Sequence, residues 1–531
     1  MLGKFHGGLH LPGHKTLSTL KPIGETPAPA RVVLPVRQHI GNAAEVLVSV
    51  GEQVKKGQKI AAAQGYVSAP VHASISGTVT AIEDRDVPHP SGLQSLCIEI
   101  ESDGRDEWTE DLPEPLPNYR EVPDLELRNR LRESGIVGLG GAAFPTSVKL
   151  NPGEKSPIRT VVINGAECEP YITCDDMLMR EHAAEIVSGI GIVRHLLKPE
   201  QVLIGIEDNK KEAISAMRQA VRESGEEDIE VVVVPTRYPT GGEKQLIKVL
   251  TNQEVPPHGL PADIGVTCHN VGTVYAVHEA IIHGRPLIER VVTVTGNGIE
   301  HPQNLRVRIG AMFSDLTRQA GGYSDAASYL IMGGPMMGIS LRHDQLPVIK
   351  ATNCLLVAAE SEVRPVNDAS ACIRCGDCVA ACPVNLLPQQ MYWYARSGDY
   401  DKIQEFSLFD CIECGCCSYV CPAHIPLVQY YRHAKNEIWQ QEKRARKTDI
   451  ARQRHEFRQA RLERQQREKA EKLAKKRAAL KADTQSDEAK KKTIQAAMER
   501  AKARKQKLAQ DKAESAASPG KDASTPGGGS D

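Results

Sequence analysis

The chain has 531 residues, too many for one compact core, and its 40% apolar content is enough for several domains. Its formal net charge of −1 hides a division. Residues 441–510 carry 24 Lys and Arg against 10 Asp and Glu, while residues 1–440 carry a net charge of −13. No stretch reaches the roughly 18 uninterrupted apolar residues of a membrane-spanning helix, and MLGKFHGGLHLPGHK lacks the apolar core of a signal peptide, so a cytoplasmic protein is expected. Fourteen cysteines in a reducing compartment point to metal binding rather than to structural disulfides.

Residues 1–30, rich in Gly, Pro and His, read as an N-terminal arm. His6, His10 and His14 are spaced by four, but interleaved Gly and Pro argue against a helix, and no role is assigned to them. Residues 31–105 are β-branched and punctuated by Gly51, Gly57, Gly65 and Gly77, the pattern of a small all-β unit. EVLVSVGEQVKKGQKIAA and APVHASISGTVTAIE resemble the barrel-sandwich hammerhead of lipoyl and biotinyl domains. The turn at Gln64 and Gly65 has no Lys to carry a prosthetic group, so a docking module is expected rather than a carrier.

Residues 124–288 read as an α/β domain whose first helix is capped at Asp124. RTVVI (159–163), QVLIGI (201–206) and IEVVVV (229–234) are continuous apolar runs typical of buried parallel strands. Between them, Ile214, Met217 and Val221 share one helical face. A ligand is expected at the strand ends. Residues 289–350 return to β patterning with RVVTVTG and LRVRIG. Residues 365–435 carry the cysteine runs, and residues 440–531 form a basic Ala/Lys-rich tail, either a solvated single helix or disordered.

Cys372, Cys375, Cys378 and Cys382 before Pro383, and Cys411, Cys414, Cys417 and Cys421 before Pro422, each read C-x2-C-x2-C-x3-C-P. In the bacterial two-cluster spacing three closely spaced thiolates grip one cubane and the fourth ligates the other. Cys372, Cys375, Cys378 and Cys421 are therefore assigned to one [4Fe–4S] cluster, and Cys382, Cys411, Cys414 and Cys417 to a second. A pair of zinc knuckles has no use for the third cysteine or the trailing proline. Cys416 reads as a bystander, and Cys97, Cys168, Cys174, Cys268 and Cys354, without metal spacing, as small buried residues.

In GLGGAAFPTSVKL (138–150), Gly138, Gly140 and Gly141 expose backbone N–H groups suited to a phosphate, with Lys149 as a nearby cation; alone, a ligand-free Gly-rich turn fits equally. Together with NGAECEP (164–170), YPTGGEKQ (238–245) and HNVGT (269–273), the segment resembles in order the flavin- and NADH-binding elements of the complex I flavoprotein subunit. With FHGGLHLPGHK, the hammerhead, the twin cysteine runs and the basic tail, the whole resembles the RnfC family of the bacterial Rnf (Rsx) electron transport complexes over residues 5–440. The resemblance implies that the Gly138–Gly141 loop and Lys149 hold the FMN phosphate, and that Asn164, Tyr238, Gly241 and Asn270 surround the flavin. It places Phe144 against a nicotinamide dinucleotide and Glu243 near the flavin and nicotinamide. Ala143, Ala166 and Gly242 depart from the complex I pattern, which has Gly, Asp and Glu there. The plain alternative for Glu167, Glu169 and Glu243 is solvated loop carboxylates.

The resemblance further implies a translocase subunit, peripheral on the cytoplasmic side of the bacterial inner membrane. It would exchange electrons between NAD(H), FMN and two clusters, beside integral-membrane and ferredoxin-like partners and without nucleic acid. Two alternatives stand: a non-enzymatic iron–sulfur wire or scaffold whose flavoprotein-like domain has lost its ligand, and a soluble iron–sulfur flavoprotein enzyme. The expected architecture is multidomain α/β, with a β hammerhead, an α/β flavoprotein domain, a small β-grasp-like domain, a helical two-cluster ferredoxin domain and a charged tail.

Overall fold

Alternating burial along short strands builds the first domain of the computed structural model, which describes residues 2–153, 157–363 and 368–514, with side chains to residue 510. Residues 365–367 of the expected cluster domain and 515–531 of the expected tail lie outside the described residues. The chain divides into two units, residues 1–437 and 438–531.

In the hammerhead region one sheet has the strand order Arg31–Pro35, Gln94–Ser102, Gly77–Asp86, Gln53–Val54, and a second the order Glu45–Val46, Lys59–Ala62, Val71–His72. Val32, Leu34, Val54, Ile60, Val71, Val79, Ile98 and Ile100 fill the shared core. A Cβ at Gly77 would lie 1.9 Å from the Glu101 carbonyl oxygen, so only glycine lets these strands meet there.

The α/β region carries a four-stranded parallel sheet in the order Ile229–Val234, Gln201–Glu207, Thr160–Gly165, Val266–Asn270. Thr160–Gly165 and Gln201–Glu207 are buried on both faces, which is why they read as apolar runs, while the edge strand Ile229–Val234 exposes Glu230. Val161, Ile163, Val202 and Ile204 belong to the main core with Ile186 and Ile190 of the helix Ala183–Leu197. Val162, Val234 and Cys268 pack on Leu246 and Val249 of the helix Glu243–Thr251. The helix Lys211–Ser224 buries Ile214 and Met217, with Val221 half-buried beside them. The strand order reverses between Thr160–Gly165 and Val266–Asn270, and this switch point is where open α/β sheets bind ligands. The first helix is Asp124–Glu133, but Pro123 takes the cap position and Asp124 is the first helical residue, so the expected Asp124 cap is corrected. Proline's fixed φ suits that entry.

A third sheet has the order Gly24–Glu25, Gln303–Arg308, Glu289–Thr295, Cys354–Ala359, Ala327–Met332, Ile339–Ser340, with the helix Phe313–Gln319 packed on it. It runs past residue 350, because the fully buried strand Cys354–Ala359 lies at its centre. The arm joins this sheet through Gly24–Glu25, parallel to Leu305 and Arg306. Short helices carry the cysteine region: Asp377–Ala381, Pro388–Ser397, Tyr400–Glu405 and Cys416–Tyr419. A helix spans Leu427–Glu514, and its residues 441–510 are exposed throughout, the solvated-helix form of the tail. Ala, Lys, Arg, Gln and Glu are strong helix formers, and without an apolar stripe the helix has no face to bury. Among the described residues no helix is long and apolar enough to cross a membrane.

Candidate functional site

The two cysteine runs adopt the same backbone path. Arg374 and Glu413, two residues after the first cysteine of each run, have φ of 59° and 57°. Gly376 and Gly415 follow at 88° and 81°, and Asn385 and His424, beyond each Cys-Pro, at 54° and 52°. Such left-handed turns wrap a short loop around a common centre. One cavity is lined by Cys372, Cys375, Cys378 and Cys421, and a second by Cys382, Cys411, Cys414 and Cys417. Each cavity thus takes three cysteines from one run and the fourth from the other, the exchange expected from the spacing. Four converging thiols per cavity suit a [4Fe–4S] cubane in donor type and number. Cys416 is fully buried but lines neither cavity.

The two cavities differ in surroundings. Cys382, Cys414 and Cys417 are buried, whereas Cys375 is exposed and Cys372, Cys378 and Cys421 are half-buried. Tyr238 reaches the buried cavity from the α/β region and donates its hydroxyl to the Cys414 carbonyl at 2.7 Å. Tyr238 and Leu9 exchange backbone hydrogen bonds, and Gly8 N–H donates to the Ala381 carbonyl. The arm is therefore packed between the Tyr238 loop and the cysteine run. His6, given no role from sequence, donates through Nδ1 to the Cys382 carbonyl at 2.9 Å.

At the sheet's switch point Asn164 and Asn270 end adjacent strands in register. Asn164 Nδ2 donates to the Gly241 carbonyl at 2.8 Å. Asn270 caps the helix Val271–Ile282, its Oδ1 accepting from Gly272 N–H, and its Nδ2 donates to Asp175 at 2.6 Å. A Cβ at Gly140 would lie 3.3 Å from the Asn270 side chain, so the Gly-rich loop closes over Asn270. Gly138 N–H donates to the Phe144 carbonyl and Leu139 N–H to the Thr273 hydroxyl, which leaves Phe144 half-buried at the loop's base. Gly140, Gly141 and Ala142 are exposed, and their N–H groups have no acceptor among the described residues. Gly141 sits at φ 118°, a conformation side chains rarely adopt, and Ala143 at 49°. Bare N–H groups on an exposed loop are a donor set that fits a phosphate.

Lys149 and Glu243 form an ion pair at 2.6 Å, and Lys149 also donates to the Cys268 carbonyl at 3.0 Å. The structure thus gathers Gly140, Asn164, Gly241 and Asn270, and separately Lys149 with Glu243. It turns Tyr238 toward the cysteines. Asp175 and Cys168, whose Sγ accepts from Gly241 N–H at 3.2 Å, also touch these residues. No spacing signal marked either one.

Beneath NGAECEP lie two lysines that nothing in the sequence singles out, Lys210 buried and Lys15 half-buried. Lys15 donates to the carbonyls of Glu167, Glu169 and Ile172 at 2.7–2.9 Å, and Lys210 to Ala166 at 2.6 Å and to Glu207 at 3.1 Å. Burial lowers the Lys15 ammonium and raises the Glu167 carboxyl. Glu169 is pushed up to about 7 by burial, against the opposing pull of the Met337 and Met336 N–H groups it accepts. Neither carboxylate is the solvated loop group of the plain alternative. Cys97 and Cys268 are buried, and burial pushes both thiols up to about 12. A cavity of about 290 Å³, lined by Trp108, Asp175, Tyr275, Arg290, Arg306 and Arg308, lies beside this site and contains none of its expected ligands.

Four families match the chain in order: RnfC barrel sandwich hybrid domain over residues 3–105, Nuo51 FMN-binding domain over 131–279, SLBB domain over 291–340 and 4Fe-4S dicluster domain over 364–422. Fold and site together define a multidomain iron–sulfur protein built on an FMN-binding type of α/β domain. The RnfC-type subunit of the ion-translocating oxidoreductase complex of Yersinia pestis is 47% identical over 93% of this chain and 78% of its own length. The protein of the same description from Pseudomonas aeruginosa is 49% identical over 87% of this chain. The chain belongs to this RnfC family of ion-translocating oxidoreductase complex subunits. It spans 59% of the length of the Pseudomonas relative. An NAD+-reducing [NiFe]-hydrogenase in the H2-reduced state shares 16% identity at a TM-score of 0.43, over 59% of this chain and 62% of that one.

Proposed function

We propose that this chain is a peripheral subunit of a membrane-bound, ion-translocating electron transport complex, exchanging electrons between NAD(H), FMN and two [4Fe–4S] clusters. The observation that carries the reading is the loop Tyr238–Gly241. At one end Gly241 is bonded to Asn164 in the sheet's switch point, and at the other Tyr238 is bonded to Cys414. A single turn of chain therefore ties the flavin-type site to a cluster cavity. When bound, a flavin supplies the conversion between two-electron hydride chemistry and the one-electron steps that clusters accept.

In this reading Gly140, Gly141 and Lys149 hold the FMN phosphate, while Gly138, its N–H taken by the Phe144 carbonyl, shapes the loop; Asn164, Gly241 and Asn270 fix the ring system, and Phe144 and Glu243 face the dinucleotide. The eight cysteines carry the clusters in the crossed sets described. Residues 31–105 form a docking module, 124–288 the flavoprotein domain, the sheet from residue 289 through the strand Cys354–Ala359 a β-grasp-like domain and 365–435 the two-cluster domain. The chain lies on the cytoplasmic side of the inner membrane and exchanges electrons with integral-membrane and ferredoxin-like subunits, and the integral subunits move the ions. One observation favours the wire-or-scaffold reading instead: Glu243 already neutralises Lys149.

The deciding experiment is anaerobic purification of the full chain, followed by measurement of iron, flavin and NADH-dependent reduction of an artificial acceptor. About eight irons per chain, bound FMN and acceptor reduction are expected. Iron without flavin, even after FMN is added, would leave only the wire, and zinc in place of iron would end both readings.

A further inference from the structure

The two cluster cavities are near-copies in backbone, yet their ligands are treated differently. In the buried cavity three of the four cysteines have their carbonyls held by side-chain donors from three separate parts of the chain. His6 of the arm donates to Cys382 at 2.9 Å, Tyr238 of the α/β region to Cys414 at 2.7 Å, and Lys435 to Cys411 at 2.7 Å. Tyr238 and Lys435 are themselves buried. Among the described residues no side chain donates to the carbonyl of Cys372, Cys375, Cys378 or Cys421.

A donor on a carbonyl polarises the whole peptide, so the N–H of the next residue becomes more positive. The residues after Cys411 and Cys414 are Ile412 and Gly415, and both line the buried cavity. Lys435 and Arg432 also share the single carboxylate of Glu413, at 2.9 and 2.8 Å, which leaves an excess positive charge on this side. Positive potential favours the reduced, more negative state of a cluster, whereas burial disfavours it.

We propose that Tyr238 and Lys435 are positioning residues that selectively raise the reduction potential of the cluster held by Cys382, Cys411, Cys414 and Cys417, offsetting its burial; His6, whose acceptor carbonyl precedes Pro383 and so polarises no N–H, only secures the arm. The inference rests on the function proposed above. It makes the Tyr238 contact a tuning device as well as a joint, and leaves the cluster at exposed Cys375 without such a donor among the described residues.

The test is an anaerobic redox titration of the full chain followed by electron paramagnetic resonance, with the two signals assigned by Cys414→Ala and Cys375→Ala preparations. Tyr238→Phe removes only the hydroxyl, and Lys435→Gln keeps an N–H while removing the charge. At fixed ambient potential, Tyr238→Phe should lower the reduced-to-oxidised ratio of the buried cluster by about fivefold, the worth of one hydrogen bond of about 1 kcal/mol, and Lys435→Gln should lower it as well. The other cluster should stay in place, and iron content should be unchanged. Full iron with neither signal moved, or with both moved equally, would overturn the proposal, as would loss of iron from Tyr238→Phe. A wild-type chain without iron would instead overturn the proposed function, and this inference with it.

Discussion

Lys149 Nζ lies 2.6 Å from Glu243 Oε1, joining the end of the Gly-rich segment to the start of the helix Glu243–Thr251. Both side chains are about a third exposed, so the pair contributes only about 0.2–1 kcal/mol to stability. Its interest is chemical. A phosphate on the loop and the Glu243 carboxylate would share one ammonium. Lys149→Ala is therefore expected to weaken FMN binding by roughly 1.5–3 kcal/mol, the worth of a charge-assisted hydrogen bond. Glu243→Gln, which frees the ammonium, should tighten it. Fluorescence titration of the flavin-free chain with FMN measures both, and an unchanged affinity in Lys149→Ala would place the phosphate elsewhere.

Short-range chemistry was legible in the sequence and long-range packing was not. The crossed cysteine sets follow from spacing, because loops with cysteines two and three residues apart can close on a cubane only in that way. The apolar runs at 201–206 and 229–234 coincide with strands Gln201–Glu207 and Ile229–Val234, and the first, covered on both faces, leaves no polar alternation. Cys354–Ala359 is an equally apolar run and could have been read by the same rule. By contrast, Lys15 meets Glu167 across 152 residues, and Tyr238 meets Cys414 across 176. Neither contact has a local signature, so a half-buried lysine looks like a surface one, and an arm rich in Gly and His looks unstructured.

The adjacent pair Cys416 and Cys417 tests the register of the second run. Cys417 lines the buried cavity and Cys416 does not. Cys417→Ala should lose about four irons, one cubane, while Cys416→Ala should keep about eight. Iron analysis of anaerobic preparations reads both. The opposite pattern would shift the run by one residue and undo the crossed assignment.

Glu169 should make stability depend on pH. Its folded value, about 7, lies above the 4.5 of the unfolded chain, so between those values the native state holds a proton that the unfolded state has released. The contribution is fully present below pH 4.5 and is lost as pH rises through 7, about 3 kcal/mol in all. Met336 and Met337 both donate to Oε1, and Oε2 is buried without a partner. Glu169→Gln keeps the first acceptor and removes the titration. Thermal unfolding at pH 5 and pH 8 should show a smaller difference between the two for the variant than for the native chain. Equal differences would mean that Glu169 ionises normally in the fold.

The exposed helical residues 441–510 bring the tail to a choice between two physical roles. A net charge of +14 could draw the segment to an anionic membrane surface, where each Lys or Arg contributes about 1 kcal/mol within a Debye length. Yet ten acidic residues are interspersed, and ion pairs within the helix, such as Arg452 with Asp449 at 2.9 Å, already engage some of the cations. Exposed pairs of this kind add little stability, and residues 441–510 bury no side chain. A chain ending at residue 444 should therefore keep its iron, its FMN affinity and its unfolding midpoint. In cells with the proposed partner subunits present, it should be recovered with the membrane fraction only modestly less than the full chain. Complete release of the shortened chain into the soluble fraction would show that the basic helix is the anchor.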